Sequence, residues 1–584
     1  MLKRLPGGSL PLEAGRAAIR TIQSLRNRFT PHARIPRWFL QAHECLVRQE
    51  WDRAISLYDR ILQIDPSAAG CHYRRALANY QQGRYAVALR DNRTALGMRE
   101  LLPDDRIESL LLQAKLLMAH GEVDESIEAG FRGRWLRDFG TDPNSDPPQF
   151  GPGLVETRIE TLRDLAELAI IHRSDVGGAA ELCRQAEALQ ERYAEWLGSP
   201  NRDTLYLNEE WTRNIGHIAL LDYLLKMRDL GWTKWKEIVL LASPKRTANA
   251  AFLACFRNRL RIVASDSVPA GPRHFATAFG FRLCGPLHLP DGTSPWLPAG
   301  LGIVQQEWER QGRAPQLALS AEDEAFGRDQ LRAMGVPPDA WFVGLHVRSG
   351  SFYGERDSSP QAHRNAKIET YVPAIEEIVR RGGRVFRMGD RNMPPLPPTP
   401  GAIDYARSRF KSDRMDVFLC ARSRFFIGVA SGLGNVPAVF GVPCLMTNWL
   451  ANSLPFYSRD DMFLPKLLRR KSDGTRLTFR EWLSPPAWDA SYSVEGLDAL
   501  GLAAIDNTPE ELREAAAAML DYLEGKSRHT PETLSRENTF AETARSQGLR
   551  GFARVVPAFL TRHSELLPPR LEEHAAVDIG RTGV

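Results

Sequence analysis

The chain has 584 residues, 43% of them hydrophobic and 25% charged, with a formal net charge of +5. That length exceeds what one core organises and implies two to four domains, while the composition excludes wholesale disorder and the absence of any run of ~20 apolar residues excludes a membrane-spanning helix. The charge is uneven: residues 1–37 hold eight Lys/Arg against one Glu, or +7, so the remainder carries about −2 and offers no basic stripe for a nucleic acid.

Residues 1–37 form a basic leader. Ala18, Ile22, Leu25 and Phe29, with Ile19 beside them, fall at helical spacing between arginines, which suits a solvated or packing helix first and a peripheral contact with an anionic membrane second. The opening MLKRLPGGSL lacks the continuous apolar core of a secretory signal. Seven cysteines, at 45, 71, 183, 255, 284, 420 and 444, make no CxxC pair and fall mostly in apolar stretches, so free thiols are expected and neither disulfides nor a zinc site. A cytoplasmic protein, at most peripheral on the inner face of a membrane, follows as the expectation.

Residues 38–140 carry a repeat. Ala42, Trp51, Ala54 and Leu62 recur at one constant offset as Ala76, Tyr85, Ala88 and Leu96, and a looser third unit, shifted by a further helical turn, holds Ala114, Gly121, Val123 and Ser126. Small alanines let paired helices approach, and the aromatic residue fills the groove between them. These positions resemble tetratricopeptide (TPR) repeats, which implies stacked helix pairs with a concave surface for a protein or peptide partner. The Pro-, Gly- and Asp-rich stretch 141–153 reads as a loop, and 154–197 as a connecting helical layer, so 141–200 is a linker with helices.

From about Asn201 strands alternate with helices. Candidates are strand Asp203 to Leu207, helix Ile215 to Arg228, strand Glu237 to Leu241, helix Ala248 to Arg259 and strand Arg261 to Ala264. A second set runs through strand Trp341 to Val347, helix Tyr371 to Arg380, strand Arg384 to Met388, helix Asp413 to Ala421, strand Phe425 to Val429, a short helix Pro437 to Phe440 and strand Pro443 to Met446. This is an α/β pattern with parallel sheets, in two Rossmann-like domains at 201–325 and 326–565, before a tail at 566–584. Residues 265–330, rich in Pro and Gly, resist assignment.

Four constellations could carry chemistry. His346-Val347-Arg348 ends a buried strand, and alternation puts His346 and Arg348 on one side, where Arg348 suits a diphosphate and His346 a hydrogen bond to phosphate or a hydroxyl. The polar Ser349-Gly350-Ser351 follows. Ser431, Gly432, Leu433, Gly434 and Asn435 join an apolar strand to a short helix, where glycines admit an anion to backbone amides. The next strand begins only about eight residues later, too soon for the helix of a dinucleotide-binding fold. Asp390, in Met388-Gly389-Asp390-Arg391, suits either a ribose hydroxyl or a turn. Asp413 and Asp416 stand at a helix start, where capping and donor contact are both open. Asn214-Ile215-Gly216-His217 precedes an apolar helix, so His217 is a candidate base or a structural histidine, with Glu209 and Glu210 as alternative bases.

In order, RNIGHIALLDYLL (213–225), VGLHVRSG (343–350), YVPAIEEIVRRGGRVFRMGDR (371–391) and FFIGVASGLGNVPAVFGVPCLMTNW (425–449) resemble a family of bacterial glycosyltransferases with a GT-B arrangement of two Rossmann-like domains. The HxR step is similar to that of fucosyltransferases, in which the arginine contacts the donor diphosphate; that resemblance implies the same role for Arg348. His217 would then face the donor from the other domain. The implied activity is transfer of a sugar from a nucleotide-sugar to an acceptor hydroxyl, inverting, without metal or cofactor, with a glycan, lipid-linked glycan or protein as acceptor in surface polysaccharide or glycoconjugate synthesis. No DxD stands at a strand end, and Asp390 lacks the acidic neighbour of the fucosyltransferase pattern. Two other readings stay open: a TPR scaffold with a degenerate nucleotide-sugar-binding module, and a nucleotide-sugar epimerase. The absence of GxSxG around Ser431 disfavours an esterase-type serine hydrolase, and no GxxxxGK[ST] loop supports a P-loop enzyme.

Overall fold

The computed structural model describes residues 34–568 except 146–148, 150–151, 174, 197–203, 234, 265–286, 294, 296, 351–360, 452, 455–457 and 528–529. Residues 1–33 of the basic leader, Cys284, Ser351 and the end of the tail therefore lie outside the described residues. The chain divides into two compact units, Met1–Pro200 and Asn201–Val584.

The first unit is helical: α1 Arg34–Val47, α2 Trp51–Ile64, α3 Ala69–Gln81, α4 Tyr85–Gly97, α5 Pro103–His120, α6 Val123–Phe139, α7 Pro152–Arg173 and α8 Val176–Trp196. Each helix packs on its successor within a hairpin, and the repeated small residues Ala42, Ala54, Ala76, Ala88 and Ala114 are buried where the helices cross. The offset of the third unit has a simple cause: α5 is 18 residues where α3 is 13, longer by roughly one turn. Ser126 fits there because its buried Oγ donates to the Ala114 carbonyl at 2.7 Å. Arg74 of α3 makes two 2.9 Å hydrogen bonds to buried Asp105 of α5, which cross-links the second and third pairs.

The helices expected as a connecting layer instead continue the stack. α7 packs on both α5 and α6, and at Gly130 of α6 a Cβ would lie 2.9 Å from Thr161 Cγ2 of α7, so the two helices touch through a glycine.

The second unit opens with β1 Thr204–Leu207, α9 Ile215–Asp229, β2 Glu237–Ala242, α10 Ala250–Ala254 and β3 Arg261–Ala264, a parallel sheet in the order β1-β2-β3. The helix expected over 248–259 shrinks to Ala250–Ala254. The amides of Cys255, Phe256, Arg257 and Arg259 bond three residues back, in tight turns that carry Phe256 and Leu260 into the core. Within the stretch that resisted assignment lie α11 Leu297–Arg310 and the start of α12 Ala321–Ala333, the latter capped by Ser320 and led by Glu322, Asp323 and Glu324.

A larger sheet follows, built from β4 Phe342–Leu345, α13 Val372–Arg380, β5 Arg384–Arg387, β6 Ala402–Ile403, α14 Asp413–Arg422, β7 Phe426–Gly428, α15 Val436–Val439, β8 Cys444–Trp449 and β9 Met462–Pro465. The antiparallel pair β10 Leu467–Arg470 and β11 Leu502–Ile505 leads to α16 Pro509–Leu523, α17 Pro531–Ser546, β12 Arg554–Val555 and α18 Pro557–Arg562. The strand order is β12-β9-β8-β7-β4-β5-β6, with parallel neighbours throughout. Counting from β4, the chain fills one flank through β5 and β6 and then crosses back to lay β7, β8 and β9 on the other. The order therefore reverses between β4 and β7, where the crevice of such sheets opens.

Among the described residues no helix is long and apolar enough to cross a membrane. The described cysteines are free thiols, all buried except half-buried Cys255.

Candidate functional site

Topology assembles the site. His346 and Arg348 leave the end of β4, and Ser431 to Asn435 leave the end of β7, its direct neighbour: the His346 amide donates to the Ile427 carbonyl at 2.9 Å. Two motifs far apart in the chain thus share the switch point of the sheet.

Arg348 is 7% exposed. Its Nη1 donates to the Gln361 carbonyl at 3.0 Å and to Asn365 Oδ1, and its own carbonyl accepts from the Ala366 amide at 3.1 Å. The guanidinium is therefore aimed by the segment 361–366, which ordinary strand alternation could not foretell.

His346 is buried beneath the 388–389 turn. Its Nδ1 lies 3.3 Å from the Met388 carbonyl, and a Cβ at Gly389, whose φ is +130°, would come within 3.0 Å of that nitrogen. Burial lowers its pKa to about 4, against a smaller opposing pull from the Met388 carbonyl, so the ring is neutral at pH 7. A carbonyl only accepts, so Nδ1 carries the proton and Nε2 presents a lone pair. In that state Nε2 takes a hydrogen bond from a hydroxyl and has none to give to phosphate, which narrows the pair of roles expected from sequence. Asp390 follows in the same turn and accepts from the Asn392 amide at 2.8 Å, the arrangement of an Asx turn.

The turn after β7 is one 3₁₀ turn, Gly432–Asn435, leading into α15. The Gly432 and Leu433 amides, first in that turn, find no acceptor among the described residues. Ser431 Oγ is shut off from solvent and has no partner among them either. Leu433 packs against the core and Gly434 lies over Met446, so the turn is held from below by apolar contact.

The first α/β half meets this turn directly. Asn214 caps α9, its Oδ1 accepting from the Gly216 amide at 2.8 Å. A Cβ on Gly216 would stand 2.4 Å from Gly432 Cα, and one on Gly432 would stand 2.5 Å from Asn214 Oδ1. Gly216 is needed because two backbones touch, and Gly432 because the capping side chain of Asn214 lies against it. One residue along, His217 has its Nδ1 3.1 Å from the Glu210 carbonyl, and burial lowers its pKa, so the ring is neutral with its proton on Nδ1 and a lone pair on Nε2.

Of the alternative carboxylates, Glu209 is engaged in ion pairs. Glu209 Oε2 meets Arg246 at 3.0 Å and Arg213 at 3.5 Å, while Glu210 serves through its backbone carbonyl. Ser412, not Asp413, caps α14; Asp413 instead reaches α10, accepting from the Ala250 amide at 3.3 Å, and its carbonyl accepts from Asn249 at 3.1 Å. Asp416 is buried against Lys411 and Tyr405, with burial raising its pKa. Neither aspartate is laid out for a donor ligand.

Sequence reasoning named Asn214 in its motif without giving it a role, and missed Asn365 and Lys466. Lys466 directly follows β9, and its buried Nζ donates to the Asn365 carbonyl at 2.8 Å and to Asp506 at 2.7 Å. A lysine closing the apolar run Met462–Pro465 was its one visible signal. Among the described residues no three His, Cys, Asp or Glu side chains are grouped as a metal ion would need.

No protein-family model matches the chain, and no curated protein matches it. Among solved structures it is similar to a family 9 glycosyl transferase from Veillonella parvula, at 12% identity over 45% of this chain and 86% of that one, with a TM-score of 0.30. It is similar to the dodecameric iron-containing heptosyltransferase TibC in complex with ADP-D-β-D-heptose, at 17% identity over 56% of this chain and 76% of that one, TM-score 0.29. A third is a mutant O-GlcNAc transferase from Thermobaculum terrenum, at 14% identity over 94% of this chain and 96% of that one, TM-score 0.22.

Proposed function

We propose that this chain is a glycosyltransferase that moves a sugar from a nucleotide-sugar to an acceptor hydroxyl, in one in-line displacement with inversion and without cofactor. The observation that carries the reading is the junction of α9 with the turn after β7. It sets a neutral histidine, proton on Nδ1 and lone pair on Nε2, one residue from the glycine that touches a turn with unspent amides. At that junction His217 removes the acceptor proton as its oxygen attacks the anomeric carbon. Arg348 and the Gly432 and Leu433 amides take up the charge that develops on the departing nucleoside diphosphate. His346 Nε2 accepts from a hydroxyl of the donor. Asp390, with its turn, borders the nucleoside.

The acceptor is a glycan, a lipid-linked glycan or a protein, and the concave side of the repeats is available to a protein partner. Surface polysaccharide or glycoconjugate synthesis is the setting that suits such a transferase. The test is a thermal-shift panel of GDP-, UDP-, CMP- and dTDP-sugars, followed by product analysis with the responding donor. A nucleotide-dependent rise with sugar transfer to an added hydroxyl is expected. A flat panel refutes the reading and favours a scaffold; a response ending in an isomerised donor favours an epimerase.

A further inference from the structure

We infer that Lys466 is a positioning residue for Arg348, acting through Asn365 to hold the guanidinium toward the donor diphosphate; this rests on the donor role given to Arg348 above. Lys466 and Arg348 grip one residue from two directions. The Lys466 Nζ donates to the Asn365 carbonyl at 2.8 Å, and Arg348 Nη1 donates to the Asn365 side-chain oxygen. Asn365 also precedes Ala366, whose amide holds the Arg348 carbonyl. Fixing Asn365 therefore fixes both the backbone and the head group of Arg348.

The lysine is itself held on all sides. Asp506 accepts from its Nζ, and Asn507, the next residue, donates from Nδ2 to the Pro465 carbonyl at 2.9 Å. Asn507 also exchanges two hydrogen bonds with Asn448, at 2.6 and 2.7 Å, and Asn448 is one of the two non-glycine residues with positive φ among the described residues, at +48°. The segment after β11 thus clamps the ends of β8 and β9 together. Stability alone gives no reason for this choice, because a buried ammonium is costly and an apolar side chain of the same length would serve as well. Burial does lower the pKa of Lys466, the mark of that cost. What the ammonium adds is a donor aimed at the carbonyl of the residue that aims Arg348.

The experiment compares Lys466→Met, Lys466→Arg, Asn365→Ala and the Lys466→Met/Asn365→Ala double variant. Steady-state kinetics use the donor identified in the thermal-shift panel, and affinity for the matching nucleoside diphosphate is measured by calorimetry. Lys466→Met is expected to lower kcat by about 10- to 100-fold with a smaller change in donor KM, and Lys466→Arg to recover most of the loss. In the Asn365→Ala background the added effect of Lys466→Met is expected to shrink to a few-fold, because the side-chain link from residue 365 to the guanidinium is already cut and only the backbone bond from Ala366 to Arg348 remains. Additive losses, or a Lys466→Arg protein as impaired as Lys466→Met, overturn the proposal. Should Lys466→Met fail to fold, Asn365→Ala decides alone: normal kcat in that variant overturns it. Arg348→Ala is run beside them, and normal diphosphate affinity and turnover there identify the donor reading itself as the part that fails.

Discussion

Gly216→Ala is the sharpest perturbation this molecule offers. A methyl group there would sit 2.4 Å from Gly432 Cα and 3.0 Å from the Gly432 carbonyl oxygen, while ordinary contact begins at 3.4 Å. Both neighbours are backbone atoms, so no rotamer change relieves the clash, and α9 and the turn after β7 must part by about 1 Å. Overpacking of this kind costs about 1–3 kcal/mol, partly offset because alanine favours a helix by about 1 kcal/mol over glycine. The net loss of stability is therefore small. Catalysis is another matter, since a displacement of about 1 Å between reacting groups costs on the order of 10²-fold, or about 2.7 kcal/mol of barrier. The assay is steady-state turnover of the responding nucleotide-sugar, with a thermal melt on the same preparation. A melting temperature within a few degrees of the parent and a kcat/KM about 100-fold lower is expected. Normal turnover in the folded variant refutes the claim that this junction is where chemistry occurs.

Three further outcomes follow from the same geometry. Arg348→Ala should lower turnover by roughly 10²-fold or more, about 3 kcal/mol of transition-state stabilisation, and a folded variant with near-parental kcat removes Arg348 from the site. For His217 the sign is set by burial. The active base is the neutral ring and burial lowers its pKa from the ordinary histidine value, so the acid limb of kcat/KM should lie below that ordinary value. An acid limb centred above pH 7 in the pH–rate profile would exclude His217 as that base. In the repeats, Arg74→Met leaves Asp105 buried without a partner and should destabilise the helical unit by about 3–5 kcal/mol, while Arg74→Met/Asp105→Leu recovers most of it. Circular-dichroism melts decide this, and equal losses in the single and double variants refute the pairing.

Much of the fold is legible in the amino-acid order, for reasons that can be named. The regular recurrence of Ala42, Trp51, Ala54 and Leu62 is a packing requirement repeated in the chain, since each alanine marks a helix crossing. The strands around 342–345 and 426–428 are visible because parallel strands buried on both faces are continuous apolar runs, while the strand at 384–387 shows through its central Val385 and Phe386, between half-buried Arg384 and buried Arg387. The edge strands β6 and β12 are not, being two residues long. The helices at 152–196 are visible, but their packing onto α5 and α6 is not, because it depends on contacts such as Gly130 against Thr161, which no local pattern relates. The helix at 250–254 looks longer in sequence than it is, since apolar periodicity cannot tell α-helical turns from the tighter turns that follow.

Local pattern, which is written in neighbouring residues, places His346, Arg348, Asp390, Ser431 and His217 at strand ends and helix starts. Which of them meet is set by the folded chain. The order of the sheet made β4 and β7 neighbours, the contact of Gly216 with Gly432 joined the two halves, and carbonyls from Glu210 and Met388 set the protons on His217 and His346. Those carbonyls, and the Asn365 and Lys466 that aim Arg348, act through hydrogen bonds between segments distant in the chain or through a backbone atom common to every residue. Neither leaves a side-chain signature in sequence, which is why the roles of these groups become legible only once the chain is folded.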